Sequence, residues 1–560
     1  MTESLNETLN EKILPNVLRP ARYIGNEINS IHKDWDQIPL KVLLAYPDTY
    51  EIGMSNLGIQ ILYHILNDQK DVLAERVAAP WPDMEQQLAE HKIPLFSLES
   101  WKPVNKFDLI GFGIGHELTY TNIINMLNLG KVPIWQKDRK ESDPLVMGGG
   151  PCVFNPAPIA DFFDFFVPGE AEEVILEISK CLRDSKLEIR DLKLEALAKI
   201  PGIYVPSLGN KVTKRFISKF SESPYPTKPI IPYIEAIHDR AVLEIMRGCK
   251  WGCKFCQAGW TNRPVREKSL EKLVGLAEET IKNTGYEELS LISLSSSDYS
   301  KIDELAKILA KKYESKKINV SLPSMRTNTF SIKLAKEISR VRPSGVTLAP
   351  EAGTQRLRDL IGKNMSEEHI FDGVKSAFSE GIESIKLYFM LGLPTETDED
   401  LSGICELSKK ILQLGKSYTK RAKVTVNLAT FIPKPHTPFQ WEKQISIDET
   451  IEKQKFIKDN LKVKGITVRW HGAQSSFLEG VFSRGDKKLA KVIEKAWQLG
   501  ARLDAWSEHF KFEIWQQAFA ECGIDPKEYL RERKTEEPLP WDNIDTGVPK
   551  EILLRAANKD

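Results

Sequence analysis

The sequence predicts an α/β protein built on two parallel sheets. A doubly wound sheet fills the first third. A partial (β/α)6 TIM-type barrel follows it, closed by a small carboxyl-terminal extension. Three observations carry this prediction. Short apolar runs alternate with amphipathic stretches between Lys41 and Cys181. Glycines gather where those runs end. A second series of six strand-helix units spans Ala241 to Ala429. Such alternation is the pattern of parallel strands joined by crossover helices.

The chain divides accordingly. Residues 1–40 form an amino-terminal extension, whose first 13 polar and acidic residues read as a loose tail. Residues 41–185 hold the first sheet, with strands at Lys41–Tyr46, Asp108–Ile114, Leu145–Gly150 and Phe165–Glu170. Helix Glu172–Cys181 closes it. Residues 186–235 are proline-punctuated and read as a linker, with a short helix at Glu188–Leu197. Residues 236–470 form the barrel. Its strands are Ala241–Met246, Glu288–Leu294, Ile318–Leu322, Gly345–Ala349, Ser384–Met390 and Lys423–Ala429. Helices Leu270–Asn283, Ile302–Lys312 and Ser366–Ser379 separate them, and a last strand reads at Gly465–Trp470. Residues 471–560 form a helical tail, the expected seat of substrate choice. Its aromatic stripe around Phe510-Lys511-Phe512-Glu513-Ile514-Trp515 reads as a core seam.

Composition bounds the partners. The 560 residues are 41% hydrophobic, enough to fill several cores. Lys plus Arg and Asp plus Glu each total 78, so no overall field draws the chain to nucleic acid or anionic lipid. A local patch at Arg263, Arg266 and Lys268 stays open. No apolar stretch is long enough to span a bilayer, and no signal peptide is evident. Seven cysteines, three of them clustered, make no disulfide framework, which points to a reducing, cytoplasmic setting.

The cluster is Cys249-x3-Cys253-x2-Cys256, directly after the first barrel strand. Thiolates are soft ligands for iron-sulfur clusters or zinc. A zinc site would want a second close pair of ligands, and the sequence has none. Three thiolates can hold three irons of a 4Fe-4S cluster and leave the fourth iron open. Active groups of such barrels sit at strand carboxyl ends. Ser295-Ser296-Ser297-Asp298 follows the second strand, Arg326 the third, and Glu351 the fourth. Lys386 and Tyr388 share one face of the fifth strand by period two. Gly392 opens a G-L-P-T-E loop after it.

The cysteine spacing, with Phe255 between the last two thiols, resembles the radical S-adenosylmethionine (SAM) superfamily. The resemblance implies a 4Fe-4S cluster on Cys249, Cys253 and Cys256, with Phe255 near the adenine. It implies SAM held by Ser295, Ser296, Asp298, Arg326, Glu351 and Gly392. Lys386 and Tyr388 become candidate catalytic groups. A low-potential donor such as flavodoxin or ferredoxin would supply electrons. The first sheet resembles the cobalamin-binding, Rossmann-like domain found ahead of many such barrels. Those domains often carry D-x-H-x-x-G after the first strand. Here the run is Asp48-x-Tyr50-x-x-Gly53, with tyrosine for the cobalt-ligating histidine. Cobalamin would then bind without a protein ligand to cobalt. Its tail would lie against Gly148, Gly149 and Gly150, with Gly113 and Glu170 as further cofactor-binding candidates.

The resemblance implies a radical C-methyltransferase acting on an unactivated carbon. Methylthiotransfer is disfavoured, because only Cys152 and Cys181 lie in the first domain, too few for a second cluster. Modification of tRNA or another macromolecule, ring rearrangement and oxidation stay open. So does the substrate, whether small molecule, peptide or RNA.

Overall fold

The computed structural model describes residues 5–183, 189–322 and 346–558. The amino-terminal sheet contains β1 (Leu40–Tyr46), β2 (Val72–Ala78), β3 (Leu109–Gly113), β4 (Leu145–Gly149) and β5 (Phe165–Val167). Their order is β2-β1-β3-β4-β5, and every pairing is parallel. The carboxyl ends of β1, β3, β4 and β5 therefore form one edge, where doubly wound sheets bind ligands.

Both faces of this sheet are covered. Helices Leu57–Asn67 and Val174–Leu182 pack on one, around Val42, Leu44 and Met147. Helix Tyr120–Leu129 packs on the other, around Ile110 and Phe112. The carboxyl-terminal tail joins that second core. Val492 and Ile493 of helix Leu489–Gln498 lie in it, as do Trp515 and Phe519 of helix Phe512–Cys522. The aromatic stripe is thus a core seam. The amino-terminal extension joins the same core, with Leu9 and Ile13 fully buried. The expected loose tail is, from Leu5 onward, a helical segment spending its two apolar anchors on the sheet.

β2 has no counterpart in the sequence reading. Glu75 and Arg76 interrupt its apolar run, yet both are buried. Arg76 pairs with Glu27 at 2.8 Å and with Glu99 at 2.6 Å, which offsets the cost of its desolvation. Among the described residues Glu75 has no cationic partner; it accepts from the Ser100 hydroxyl at 2.7 Å and from other neutral donors of Ser97 and Ser100. Burial, aided by repulsion from Glu99, pushes its carboxyl up to about 7 from 4.5. A carboxyl raised in the folded state holds its proton longer there than in the unfolded chain. Its stabilising effect is complete below pH 4.5 and is lost as pH rises through 7. That loss amounts to about 3 kcal/mol. Glu75→Gln removes it. Urea unfolding should show the variant equal to the parent at pH 4.5 and clearly more stable at pH 8.

The linker adds β6 (Val212–Thr213). The barrel begins with β7 (Ala241–Glu244) and β8 (Met246–Arg247), which pairs antiparallel with β9 (Arg266–Glu267). β10 (Glu288–Ile292) and β11 (Asn319–Ser321) complete one parallel arc, ordered β11-β10-β7. β12 (Val346–Glu351), β13 (Ser384–Leu391), β14 (Lys423–Thr430) and β15 (Ile466–Trp470) form the other, all parallel. β15 thus extends the six expected strands. Helices cover one surface of both arcs through a single core containing Leu243, Leu289, Leu387 and Val426. Finally β16 (Ile544–Asp545) pairs with β6, tying the tail to the linker.

Candidate functional site: a cysteine loop facing a glycine-lined cavity

The β8–β9 pair pinches off the loop that carries the three cysteines. Gly248 opens it at φ +82°, and a Cβ there would stand 2.7 Å from the Pro264 carbonyl oxygen. Only glycine fits that turn. Cys256 caps helix Gln257–Thr261, its sulfur accepting from Gly259 N–H at 3.4 Å. The Trp260 indole N–H donates to the Cys253 carbonyl at 3.0 Å. Lys254 N–H donates to the Ile361 carbonyl at 2.9 Å. Phe255 packs against Ala352, Leu357, Ile361 and Leu393, beside Glu351 and Gly392. The loops after β12 and β13 therefore meet the cysteine loop.

The donor set suits a multi-iron cluster. Among the described residues, the group whose ligand atoms all lie within 4.8 Å of one another is His116, Glu117 and Glu479. The three thiols do not form so tight a cage, which argues against one shared ion. Burial pushes the Cys256 thiol up to about 11, and Cys253, Cys249 and Glu351 add to the rise. A cationic metal centre would offset that crowding and hold the thiolates.

The flanking groups fall into place unevenly. Asp298 Oδ2 accepts from Ser295 Oγ at 2.6 Å and from the Trp251 indole, while Oδ1 lies 3.0 Å from Lys250 Nζ and is buried with no hydrogen-bond partner among the described residues. It tethers the cysteine loop through Lys250 and Trp251. Ser296 is buried and donates to the Leu291 carbonyl at 2.9 Å. Glu351 sits at φ +67° and pairs with Lys363 at 2.9 Å. A left-handed glutamate costs of order 1 kcal/mol and is typical of functional sites. Gly392 N–H donates to Glu396 at 3.0 Å. Lys386 and Tyr388 are exposed on the face away from the helices. Arg326 lies outside the described residues.

A cavity of about 580 Å³ joins the two sheets. Its near wall is Gly113, Gly115, Gly149, Gly150 and Gly169, at the carboxyl ends of β3, β4 and β5. Leu44, Ile59, Met147 and Val167 give it an apolar floor. Its far wall is Glu244, Arg247, Gly248, Asn262, Ser293 and Leu294 of the barrel. Gly248 adjoins Cys249, so the cavity reaches the cysteine loop. Gly149 leaves open space, since a Cβ there would meet nothing within 4 Å. Gly148 lies beneath the surface instead, where a Cβ would stand 2.5 Å from the Phe166 ring. A separate cavity of about 660 Å³ between Trp135 and helix Leu489–Gln498 contains no residue of the cysteine loop.

Arg247 clamps the two walls. It pairs with Glu172 at 2.6 Å and Glu170 at 3.3 Å across the cavity, and with Glu244 at 2.9 Å on its own wall. Arg266 adds a 2.6 Å contact to Glu170. Despite burial, these arginines hold the Glu170 carboxyl below its usual range. Arg266 is thereby used internally, and Lys268 is buried against Phe220 and Ser223. Of the three residues of the possible basic patch, two are thus turned inward, and the third, Arg263, stacks over the Trp260 ring.

Of the groups expected near a cobalamin, Gly113, Gly149 and Glu170 line the cavity. Asp48, Tyr50 and Gly53 do not. Asp48 accepts from the Trp506 indole N–H at 2.8 Å, and burial raises its carboxyl. The Tyr50 hydroxyl donates to Glu27 at 2.9 Å. Burial and then Glu27 push this phenol well above its ordinary value. Tyr50→Phe should cost about 2 kcal/mol, the worth of a hydrogen bond to a charged group, and leave corrinoid affinity unchanged. Loss of corrinoid binding on this change would make Tyr50 a ligand.

Sequence reading missed a cluster at the cavity's edge. His116 and Glu117 follow Gly115; Lys434 follows β14; Glu479 comes from helix Ala473–Arg484. Lys434 bridges Glu117 at 2.6 Å and Glu479 at 2.8 Å, and His116 lies 3.5 Å from Glu479. Against burial, Lys434 and His116 keep Glu479 well below the carboxylate range, and Glu479 keeps His116 raised. The G-H-E run after a strand was the available signal.

This fold and loop define an iron-sulfur barrel enzyme of the radical type. The family described as Radical SAM proteins, N-terminal, matches residues 58–206, and the Radical SAM superfamily matches residues 243–408. An uncharacterized protein of Methanocaldococcus jannaschii is 31% identical over 460 residues, 81% of this chain and 90% of the relative. The chain belongs to the radical SAM superfamily. An uncharacterized methyltransferase of Pyrococcus horikoshii is 25% identical over 395 residues, covering 66% of this chain and 78% of that one. The structure of OxsB, a cobalamin-dependent SAM radical enzyme with aqua-cobalamin and SAM bound, shares the fold. It aligns at TM-score 0.51 and 14% identity over 98% of this chain and 84% of that one. No helix among the described residues is long and apolar enough to cross a membrane.

Proposed function

We propose that this chain is a cobalamin-dependent radical SAM methyltransferase acting on an unactivated carbon of its substrate. One observation carries the reading. A glycine-lined cavity on the amino-terminal sheet opens onto the barrel directly beside Cys249. Two cofactors held there would face each other across one shared space.

Cys249, Cys253 and Cys256 would hold the cluster. SAM would lie against Phe255, Glu351 and the loop at Gly392. The corrinoid would fill the cavity, its tail over Gly149. When bound, these groups supply an adenosyl radical for hydrogen abstraction and a methyl group for the resulting carbon radical. The protein's own work is placement. Arg247 fixes the spacing of the two walls through Glu170 and Glu172. Asp298 holds the cysteine loop through Lys250 and Trp251. No histidine lines the cavity, which matches a corrinoid without a protein ligand to cobalt. Electrons would come from an external low-potential donor such as flavodoxin or ferredoxin.

The test is anaerobic reconstitution with iron, sulfide and hydroxocobalamin, followed by an optical spectrum and metal and corrinoid quantitation. One cluster and one cobalamin per chain, with SAM cleavage under strong reductant, is the expected result. A cluster without cobalamin would overturn methyl transfer and leave hydrogen abstraction alone.

A further inference from the structure

The inner face of the second barrel arc carries a built pattern of its own. Strands β12 to β15 alternate strictly. Val346, Leu348, Ile385, Leu387, Val424 and Val426 point into the helix-covered core. The residues between them form two register rows on the opposite face. Thr347, Lys386, Thr425 and Thr467 stand side by side in one. Tyr388, Asn427 and Arg469 stand side by side in the next, two residues closer to the carboxyl ends.

These rows contain two cations and no carboxylate. Lys386 and Arg469 are exposed, and among the described residues neither has an ion-pair partner. Tyr388 is 40% exposed. The other strongly placed cations near the site, Arg247, Arg266, Lys363 and Lys434, are each neutralised by a carboxylate. Arg263, beside the cysteine loop, also lacks a carboxylate but is taken up by the Trp260 ring and backbone carbonyls. The inner face instead presents two solvent-facing cations, Lys386 and Arg469, with no carboxylate in their register rows.

We propose that this face binds an anionic group of the substrate, a phosphate or a carboxylate. Lys386 and Arg469 are its charge partners, and Tyr388 and Asn427 donate hydrogen bonds to it. The two cations are two strands and two residues apart, about 12 Å between backbones at ordinary sheet spacings. Their long side chains reach one anion between them. Arg469 can offer a bidentate fork and Lys386 a point charge. The alternative anion is the carboxylate of SAM. That group belongs with the open iron at the cysteine loop. Lys386 lies six residues before Gly392 on β13, about 20 Å down the strand from the SAM-facing loop. The adenosine portion carries no negative charge.

This inference rests on the proposed enzyme class, but its test reads separately. On the reconstituted protein, titration calorimetry would follow inorganic pyrophosphate, tricarballylate and SAM. Expected is binding of one of the two anionic probes, weakened at least tenfold in Lys386→Ala and in Arg469→Gln, with cluster content and SAM affinity unchanged. Which probe binds tells phosphate from carboxylate. Lys386→Arg should recover most of the loss. Failure of both probes to bind, or a parallel loss of SAM affinity in the two variants, overturns the proposal. Failure of the enzyme reading would show instead as missing cluster or missing SAM cleavage in the parent.

Discussion

Cys253→Ala is expected to lose its iron and acid-labile sulfide to background and to show no SAM cleavage under any reductant. The geometry explains why the loss is complete. Cys253 is the most buried of the three thiols, and its backbone carbonyl is fixed by Trp260. Its neighbours Lys254 and Phe255 are pinned to Ile361 and to the core around Leu393. The loop cannot swing another donor into the gap. Cys249→Ala and Cys256→Ala should behave alike, because three ligands are the minimum for a cluster with one open iron. Cys405→Ala is the control. It lies in the helix core and should cost about 1 kcal/mol of stability while leaving iron content intact. Cluster content and 5'-deoxyadenosine release measure both. Retained cleavage in Cys253→Ala would mean that the thiols do not carry the cluster.

The fold was largely readable because its strands are apolar runs bounded by glycine and its helices carry one apolar stripe. Leu270–Thr284 and Ile302–Tyr313 match their expected spans almost to the residue. β2 escaped because two buried charges hide it, and their partners, Glu27 and Glu99, are distant in sequence. The helical start of the chain escaped because two anchors among polar residues leave little periodicity. At the site, the cysteine loop was legible as a motif, since its three thiols are local in sequence. The partners of Asp298, Asp48 and Tyr50 were not. Each is supplied from elsewhere: Lys250 and Trp251, Trp506, and Glu27. A motif position names a residue, but long-range pairing decides whether that residue is free to meet a ligand. The cluster of His116, Lys434 and Glu479 shows the converse, a set assembled from three remote segments.

Gly149 gives the second large effect, and it separates cavity from fold. A Cβ at this position meets nothing within 4 Å, and the residue lines the shared cavity. Gly149→Ala should therefore fold normally and bind cobalamin nearly as the parent does. Gly149→Trp places an indole in the cavity from a Cβ that itself meets no neighbour within 4 Å. Overfilling a formed site costs about 1–3 kcal/mol, so corrinoid affinity should fall about ten- to hundredfold. Cluster content should not change, because the cysteine loop lies on the other wall. Gly148→Ala provides the contrast. Its new methyl would press on the Phe166 ring at 2.5 Å, so its effect should appear in thermal stability. The measurement is cobalamin retained per chain after gel filtration, read beside iron per chain and melting temperature. Parent-like retention in Gly149→Trp would place the corrinoid elsewhere and leave the glycine-lined cavity to the substrate. Loss of corrinoid with cluster and melting temperature intact would put the two cofactors on opposite walls of one cavity, the arrangement that methyl transfer to a radical requires.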